Sequence, residues 1–399
     1  MKYLIILGDG MADELSPSQP TPLEAVAHPA IDRLAREGRV GRLVTVPDGF
    51  HPGSEIANLG VLGYDVHRVY EGRGSLEAAS IGVPIEDGEI AMRCNLVCIA
   101  DGKIKNHSAG HISTEESSEL IRYLEQELGD ERVSFYPGVA YRHLLKIKDA
   151  DKRVDCTPPH DVPGTPFESV MPRAEVPEAE ETTALIARLI RRSQELLEHH
   201  PINEARRRAG KDPANSIWPW SAGYRPSMTP MRELFPIQSG AVISAVDLIH
   251  GIGVYAGLDK IEVEGATGLY NTNYEGKVEA ALRELRAKDF VFLHIEASDE
   301  AGHEGDRALK ELTVRNLEER AVRPIVEALR EWDEPVRIAL LPDHPTPIRL
   351  RTHTSEPVPF LIWGPGIEPD GVSTFTEASA KEGAYGLLRG DEFIRTLFS

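Results

Sequence analysis

The sequence predicts an α/β protein whose main domain is a doubly wound, mainly parallel sheet. Short, continuous apolar segments rich in β-branched residues recur along the chain, as expected for strands buried on both faces. Amphipathic helical segments lie between them, and this alternation is typical of parallel sheets. Three apolar segments, residues 3–7, 290–295 and 336–340, are each followed by acidic residues and two of them also by histidine. Open α/β sheets bind ligands at the carboxyl ends of their strands, so we expect a functional site there.

The polar residues beyond these strand ends are of the types that bind divalent metal ions. They are Asp9, Asp299, His303, Asp343, His344 and, in the next turn, His353. If residues 299–303 are helical, Asp299 and His303 share one face, because they are four residues apart. Three carboxylates and three imidazoles suit a site for two metal ions, Mn²⁺ or Zn²⁺, that needs no thiolate.

Each of these motifs has a simpler explanation when it is taken alone. Asp299 and His303 could be an exposed pair on a helix, and Asp343 with His344 could belong to an ordinary turn. Their joint occurrence at three strand ends, together with Ser54 as a candidate nucleophile, favours the metal site.

Composition excludes several classes of function. The chain has 399 residues, enough for two domains, and its 41% hydrophobic and 27% charged residues are ordinary for a globular protein. A formal net charge of -20 argues against nucleic acid or an anionic membrane as a partner. No apolar segment approaches membrane-spanning length, and the first residues run into a strand without signal-peptide features. Three cysteines are too few for a disulfide framework, so we expect a cytoplasmic protein.

The first part of the chain contains the candidate nucleophile. After Asp9 come a Pro-rich loop and a short helix over residues 30–38 that ends at Gly38. Gly53 and Ser54 then follow a loop and open a helix with apolar periodicity. This places the Ser54 hydroxyl among free N–H donors that favour an anion such as a phosphoryl group. Ser54 could instead be only the N-cap of that helix.

The middle of the chain differs in pattern and is predicted to be an inserted, smaller α+β domain. We place it at residues 77–227, inside a discontinuous metal-binding domain formed by residues 1–76 and 228–399. The insertion contains predicted strands at 91–99 and 141–147, a helix at 114–128 and a long helix within 177–200. Residues 215–228, which contain Pro and Trp, are predicted to be a loop that returns to the first domain.

The last part of the chain resumes the α/β alternation. Strands are predicted at residues 240–246 and 260–263, and helices at 248–257 and 277–287. A long surface helix is predicted at 309–329. Together with the three strand ends described above, this completes the doubly wound domain.

Several motifs, taken in order, resemble the cofactor-independent phosphoglycerate mutases, most closely their archaeal-type branch within the alkaline phosphatase superfamily. The motifs span nearly the whole chain: residues 8–13 (GDGMAD), 52–54 with 57–59, 72–78 (GRGSLEA), 299–303 (DEAGH), and Asp343-His344 with His353. The resemblance implies an alkaline-phosphatase-like domain with an inserted phosphotransferase domain. It also implies two bound divalent metal ions and a small phosphorylated metabolite as substrate.

The resemblance assigns a role to each matching residue. Ser54 resembles the nucleophile that becomes phosphoserine. One metal ion would bind Asp9, Ser54, Asp343 and His344, and the other Asp299, His303 and His353. In the inserted domain, the positions that resemble substrate-binding residues are His111, Arg142, His143, His160 and Asp161.

One departure leaves the acceptor open. Archaeal-type mutases often have Arg where this chain has His111, and Arg offers a bidentate fork that His lacks. With residues 135–143 and 218–220, this departure resembles a bacterial subgroup proposed to act as homoserine kinases. The chain has no Gly-rich phosphate loop, so in a kinase the metal ions would hold the nucleotide phosphates. A non-catalytic metal-binding or scaffolding protein is a third alternative, although the intact Ser54 and ligand set argue against it.

Overall fold

The computed structural model describes all 399 residues. The strands are β1 (Lys2–Gly8), β2 (Arg39–Val44), β3 (Ile90–Ala100), β4 (Lys103–Asn106), β5 (Val133–Val139), β6 (Arg142–Ile147), β7 (Val154–Asp155), β8 (Arg173–Ala174), β9 (Ser216–Gly223), β10 (Gly240–Ile243), β11 (Asp259–Ile261), β12 (Phe290–Ile295), β13 (Val336–Leu341), β14 (Val358–Trp363) and β15 (Leu387–Arg389).

The α-helices are α1 (Pro22–Ala25), α2 (Pro29–Glu37), α3 (Ser54–Val61), α4 (Val66–Val69), α5 (Arg73–Ser80), α6 (Thr114–Leu128), α7 (Glu180–Leu197), α8 (Pro201–Arg208), α9 (Met231–Leu234), α10 (Asp247–Tyr255), α11 (Tyr274–Ala287), α12 (Ala297–Glu304), α13 (Arg307–Asn316), α14 (Arg323–Leu329) and α15 (Glu392–Phe398). Short 3₁₀ segments occupy Phe167–Val170, Pro177–Ala179 and Ser379–Lys381, and a π-helical segment occupies Leu317–Val322. None of the helices is both long and apolar enough to cross a membrane.

The chain forms two compact units, Met1–Tyr70 with Ser227–Ser399, and Glu71–Pro226. The first division lies before the predicted boundary at residue 76. The reason is that α5 packs on β3 and β9, which belong to the second unit.

The first unit is built on an eight-stranded sheet in the order β11-β10-β12-β1-β13-β14-β2-β15. Strands β11, β10, β12, β1 and β13 run parallel, whereas β14 is antiparallel to both of its neighbours. Every residue of β1, β12 and β13 is buried, because both faces of the sheet are covered. The expected mainly parallel α/β fold is confirmed.

The predicted long helix at 309–329 is present, but it contains a π-helical segment and one of its faces is buried. Its α-helical pattern gives way to the π-helical segment between α13 and α14. One face of it is buried, including Lys310, Glu318 and Ile325, none of which is exposed to solvent, and it packs against α1, α2, α11 and α12.

The second unit contains an antiparallel sheet in the order β4-β3-β6-β5, with β9 also paired to β3. Helices α6 and α7 pack on β5 and β9, and the core lies between them. The prediction of a loop over residues 215–228 was wrong for β9. Pro219 is compatible with a strand because β9 lies at the edge of the sheet and pairs only with β3. Trp218 and Trp220 fill the core rather than a surface loop.

Candidate metal centre and basic cluster

The metal-ligand candidates of the first unit come together because β12, β1 and β13 are neighbours in the sheet. Asp9 follows β1, Asp343 follows β13, and Asp299 lies in the first turn of α12, directly after β12. All three carboxylates are buried. Gly10 permits this approach: its φ is +62°, and a Cβ there would lie 2.6 Å from the Asp299 Cα.

Asp299 lies against two histidines whose Nε2 atoms point at its carboxylate. The His303 Nε2 is 3.3 Å from Asp299 Oδ2, and the His353 Nε2 is 3.2 Å from Oδ1. The other ring nitrogen of each histidine faces a backbone carbonyl, that of Arg351 for His303 at 3.0 Å and that of Pro52 for His353 at 3.2 Å. A carbonyl can only accept, so each Nδ1 carries a proton and each Nε2 is left for a second proton or a metal ion.

His344 has the same orientation on the other side of the centre. Its Nδ1 is 3.3 Å from the Thr346 hydroxyl, which itself donates to Asp299. The Thr346 oxygen therefore accepts from His344 Nδ1–H, and the lone pair of His344 Nε2 faces the centre. That Nε2 lies 3.5 Å from Asp343 Oδ2 and 3.7 Å from Asp9 Oδ1. The rings of His344 and His353 are stacked with centroids 3.9 Å apart, so the two halves of the centre are continuous.

Ser54 is the first residue of α3 and lies at this centre. Its Oγ is 3.2 Å from the His344 Nε2. Gly53, not Ser54, is the N-cap of α3, so the hydroxyl is not used for capping. Asn58, one turn further along α3, donates to the Ser54 carbonyl at 2.8 Å and to Asp343 Oδ2 at 2.9 Å. This contact fixes the start of the helix to the end of β13.

The negative charges of the three buried carboxylates favour a bound cation at this centre. Burial, followed by repulsion from Asp343 and Asp299, raises the pKa of Asp9 well above its usual value. Burial alone would raise the pKa of Asp299, but hydrogen bonds from His303 and His353 hold it well below its usual range. The hydrogen-bond partners of the three carboxylates are histidines, Thr346, Asn58 and backbone N–H groups, with no Lys or Arg among them.

An unpaired acceptor supports the same conclusion. The Oδ1 of Asp9 is buried without a hydrogen-bond partner. Two groups of three side chains could each hold a metal ion, because their potential ligand atoms all lie within 4.8 Å of one another. One group is Asp299 with His344 and His353, and the other is Asp9 with His294 and Asp343. Carboxylate oxygens and neutral imidazole nitrogens in this arrangement fit a divalent cation.

Two residues of this centre were not singled out from the sequence as site residues. His294 lies in the middle of β12, where it is indistinguishable from a core histidine, and its Nε2 is 2.9 Å from Asp9 Oδ2. Asn58 belongs to a matching motif, but nothing in its spacing shows that it reaches Asp343. For His294, the only available signal was a polar residue inside an otherwise apolar strand.

The second unit contains a separate cluster of basic and aromatic side chains. Arg93 lies on β3, mostly buried, with Nη1 3.3 Å from the Glu77 carboxylate and its guanidinium 5.1 Å from the Trp220 ring centroid. His160 is 5.3 Å from the same ring and 6.2 Å from His107, centroid to centroid. Burial lowers the pKa of Arg93. The charge of Glu77 raises it in part, and the nearby Arg142 and Arg73 lower it further. This local positive charge contrasts with the net charge of -20.

The predicted substrate-binding residues of this unit do not all join that cluster. Arg142, His160 and Asp161, the neighbour of His160, belong to the cluster. Exposed His111 lies close to it: burial is the main cause that lowers the pKa of His107, and the charge of His111 is the second. His143 is buried on the opposite face of β6 from Arg142, and its Nδ1 accepts from the Gly138 N–H at 3.0 Å. Burial lowers the pKa of His143 to about 3, as expected for a neutral core histidine.

Residues of this cluster that the sequence did not reveal are Arg73, Arg93, His107 and Trp220. Arg93 lies within an apolar strand and His107 within a turn, and neither position has a sequence pattern that distinguishes it. The left-handed backbone of the turn before α6 also escaped prediction, since Ala109 and His111 both have positive φ there.

Comparison with known proteins gives consistent matches. A family profile described as 2,3-bisphosphoglycerate-independent phosphoglycerate mutase matches residues 35–203. A protein of that name from Methanosarcina barkeri is 48% identical over 401 residues, which cover 100% of this chain and 99% of the relative.

Two solved structures share the fold over nearly the full length. The PH0037 protein from Pyrococcus horikoshii is 30% identical with a TM-score of 0.82, covering 99% of this chain and 96% of that one. A cofactor-independent phosphoglycerate mutase from Thermoplasma acidophilum is 25% identical with a TM-score of 0.68, covering 100% of this chain and 99% of that one.

Proposed function

The chain belongs to the 2,3-bisphosphoglycerate-independent phosphoglycerate mutases, and from that premise we propose that it interconverts 3-phosphoglycerate and 2-phosphoglycerate through a phosphoserine at Ser54. The observation that supports the proposal is that the candidate metal ligands lie together around Ser54. Three histidine Nε2 atoms, three buried carboxylates and the Ser54 hydroxyl meet at the ends of β12, β1 and β13. A hydroxyl nucleophile beside such a ligand set is what phosphoryl transfer requires.

We propose two divalent ions, Mn²⁺ or Zn²⁺, as the cofactors. Asp9, Ser54, Asp343 and His344 would hold one of them, and Asp299, His303 and His353 the other. When bound, such ions supply charge neutralisation for the phosphoryl group and lower the pKa of a coordinated hydroxyl.

The chain's own residues then have distinct tasks. The Ser54 hydroxyl loses its proton and its oxygen attacks phosphorus, the bond to the substrate oxygen breaks, and that oxygen takes up a proton, so that glycerate remains. The other hydroxyl of glycerate attacks the phosphoserine and releases Ser54. Asn58 keeps Ser54 in place through the Ser54 carbonyl. Water must be excluded while the phosphoserine exists, because hydrolysis would turn the mutase into a phosphatase.

Recognition of the substrate's anionic groups is assigned to the basic cluster of the second unit. Arg93 and Arg142 can offer paired N–H donors to a carboxylate or phosphate, and His107 and His160 add further donors. Asp161 beside His160 can fix the ring's orientation, with His160 Nε2 3.5 Å from its carboxylate. His111 lies next to this set, whereas the position of His143 fits a core role. A small phosphorylated acid suits such a cluster better than a neutral acceptor does.

The homoserine kinase alternative has no support among the relatives. The profile and the most similar named proteins are all mutases. The conversion of 3-phosphoglycerate without bisphosphoglycerate is therefore the reaction to assay.

The test is the Ser54→Ala variant, assayed with Mn²⁺ and 3-phosphoglycerate in the absence of bisphosphoglycerate. Turnover should fall to background, because the oxygen that accepts the phosphoryl group is gone. Bound metal, measured by elemental analysis, should stay near the wild-type level because six other ligands remain. A Ser18→Ala variant at an exposed site serves as the control. Retained mutase turnover in Ser54→Ala would refute the assignment.

A further inference from the structure

His294 is a buried histidine that the metal-ligand assignment does not use. It lies in β12 with no exposure to solvent. Its Nε2 is 2.9 Å from Asp9 Oδ2, and its Nδ1 is 3.0 Å from the Ser244 hydroxyl. Its position next to a ligand candidate raises the question whether it binds metal itself or acts on Asp9.

The hydrogen bonds around His294 determine its tautomer. The backbone N–H of Val246 donates to Ser244 Oγ at 3.0 Å. This bond leaves the Ser244 proton available for His294 Nδ1, and the ionised Asp9 carboxylate, which can only accept, requires the ring proton on Nε2. Nδ1 is then the acceptor of the ring, and the ring proton resides on Nε2, which donates it to Asp9 Oδ2.

This arrangement is opposite to that of the other three histidines of the centre. His303 and His353 have Nδ1–H directed at backbone carbonyls, and His344 has Nδ1–H directed at Thr346, which leaves all three Nε2 atoms available for binding. His294 instead presents an N–H to the centre, and an N–H cannot bind a cation. Its distance from Asp9 and Asp343 thus fits a metal ligand, but its hydrogen bonds do not.

We propose that His294 is a positioning residue that holds Asp9 through Oδ2, so that Oδ1 alone is directed at the metal ion, and that Ser244 keeps it in the required tautomer. The Asp9 oxygen left over, Oδ1, is the buried atom without a hydrogen-bond partner. Partners of this kind behind a ligating carboxylate raise metal affinity by restricting the ligand's orientation. This inference rests on the proposed metal-dependent function.

The backbone of His294 is also fixed by a hydrogen bond. The buried Lys277 on α11 donates to the His294 carbonyl at 3.2 Å, which links β12 to a helix that covers the sheet. The relay from Val246 to Asp9 thus runs from the end of β10 across β12 to the end of β1. Three strands of the sheet cooperate in fixing one carboxylate.

The test measures stepwise Mn²⁺ binding to the metal-free full-length protein by calorimetric titration. The variants are His294→Gln, whose amide N–H₂ can replace the Nε2–H, His294→Leu, which has no donor, and Ser244→Ala. His250→Leu removes a nearby buried imidazole that has no hydrogen-bonded carboxylate and is the control for a loss of packing.

We expect His294→Leu to weaken one of the two binding steps by about 10–100-fold and to leave the other unchanged. His294→Gln should recover most of that loss, Ser244→Ala should lie between wild type and His294→Leu, and His250→Leu should bind both ions normally. Unchanged stepwise affinities in His294→Leu would overturn the inference. So would the loss of one bound Mn²⁺ per chain in His294→Gln, because it would make His294 a ligand.

If His294→Leu does not fold, His294→Gln and Ser244→Ala decide the matter. Wild-type affinity in Ser244→Ala would refute tautomer control. The titration does not depend on mutase turnover, so a failure of the proposed reaction would not disturb it. Conversely, an active mutase whose His294 variants bind metal normally would refute the positioning role alone.

Discussion

At the scale of single residues, one hydroxyl connects the two halves of the metal centre. Thr346 is completely buried, donates to Asp299 and accepts from His344 Nδ1. It therefore orients a ligand candidate of each proposed ion. Its backbone carbonyl is also in use, since it accepts from the buried Lys310 ammonium at 2.7 Å. The position thus combines an orienting side chain with a fixed backbone.

Replacing Thr346 with Val should separate these two contributions. The shape is kept and the backbone contact to Lys310 is unaffected, but the hydroxyl is lost, so Asp299 and His344 are no longer oriented by a common partner. We expect metal affinity to fall by about 10–100-fold, with a matching loss of kcat at limiting metal that excess Mn²⁺ partly restores.

Thr346→Ser is the matched control for that experiment, because it keeps the hydroxyl and removes only a methyl group. Its metal affinity should remain near wild type when both variants are titrated under the same conditions. Equal losses in the two variants would show that packing, and not the hydroxyl, matters at this position.

The sequence predicted residues at the strand ends but not those that act on them. Asp9 and Asp343 directly follow apolar strands, and that pattern carries a physical expectation. Thr346 and His294 have no such pattern, because their roles depend on which way a ring proton points across two or three strands. Tautomers are determined by tertiary neighbours, so no local spacing encodes them.

At the scale of helices and strands, the start of α2 depends on a residue far along the chain. Its N-cap, His28, makes no side-chain capping bond. The buried carboxylate of Glu318, in the π-helical segment, accepts instead from the backbone N–H groups of Ala30 and Ile31, each at 3.0 Å. A carboxylate at a helix N-terminus satisfies free donors and interacts favourably with the helix dipole.

The Glu318→Leu variant should therefore destabilise the protein. Two backbone N–H groups, one of them buried, lose their acceptor and the Arg323 guanidinium loses its partner, so we expect a loss of about 2–4 kcal/mol in the free energy of unfolding. Denaturant unfolding of the metal-loaded protein measures it. Glu319→Ala, at the exposed neighbouring position, should change stability by less than about 0.5 kcal/mol. A Glu318→Leu variant as stable as Glu319→Ala would show that α2 needs no remote cap.

Prediction of these elements succeeded where one periodicity dominated. The strand before Asp343 and helix α6 have apolar patterns typical of a buried strand and of an amphipathic helix, and both form as predicted. The strand β9 was missed because Pro219 indicates a loop locally, whereas the edge position of β9 removes the penalty for a missing N–H. The π-helical segment was missed because the apolar pattern of residues 309–329 fits a regular α-helix, and the contacts of buried Glu318 with α2 lie outside any local window.

At the scale of the whole molecule, negative charge is concentrated where a cation is required. The net charge is -20, and three of the carboxylates that contribute to it, those of Asp9, Asp299 and Asp343, are buried together at one end of the sheet. In the metal-free protein, protons on the histidines offset part of this charge. The hydrogen bond with Asp299 raises the pKa of His303 to about 9, from a usual value of 6.5. Protons and metal ions therefore compete for the same nitrogen.

This competition predicts opposite pH trends for the metal-free and the metal-loaded protein. Because the pKa of folded His303 is raised, its proton contributes stability that is complete below pH 6.5 and lost as the pH rises through about 9. Metal must displace that proton, so metal affinity should increase over the same window. Thermal unfolding midpoints of the metal-free protein should thus fall between pH 6.5 and 8.5. The extra stabilisation by Mn²⁺ should grow over that range.

Calorimetric titrations in buffers of different ionisation enthalpy should detect the released proton directly at pH 7. His303→Asn should release less, whereas a variant of the exposed His199, His199→Gln, should match wild type. Metal binding without proton release in the wild type, or metal-free stability that rises with pH in this window, would contradict the argument. Either result would mean that His303 is already neutral before metal binds, and that the charge of the buried carboxylates is balanced elsewhere in the molecule.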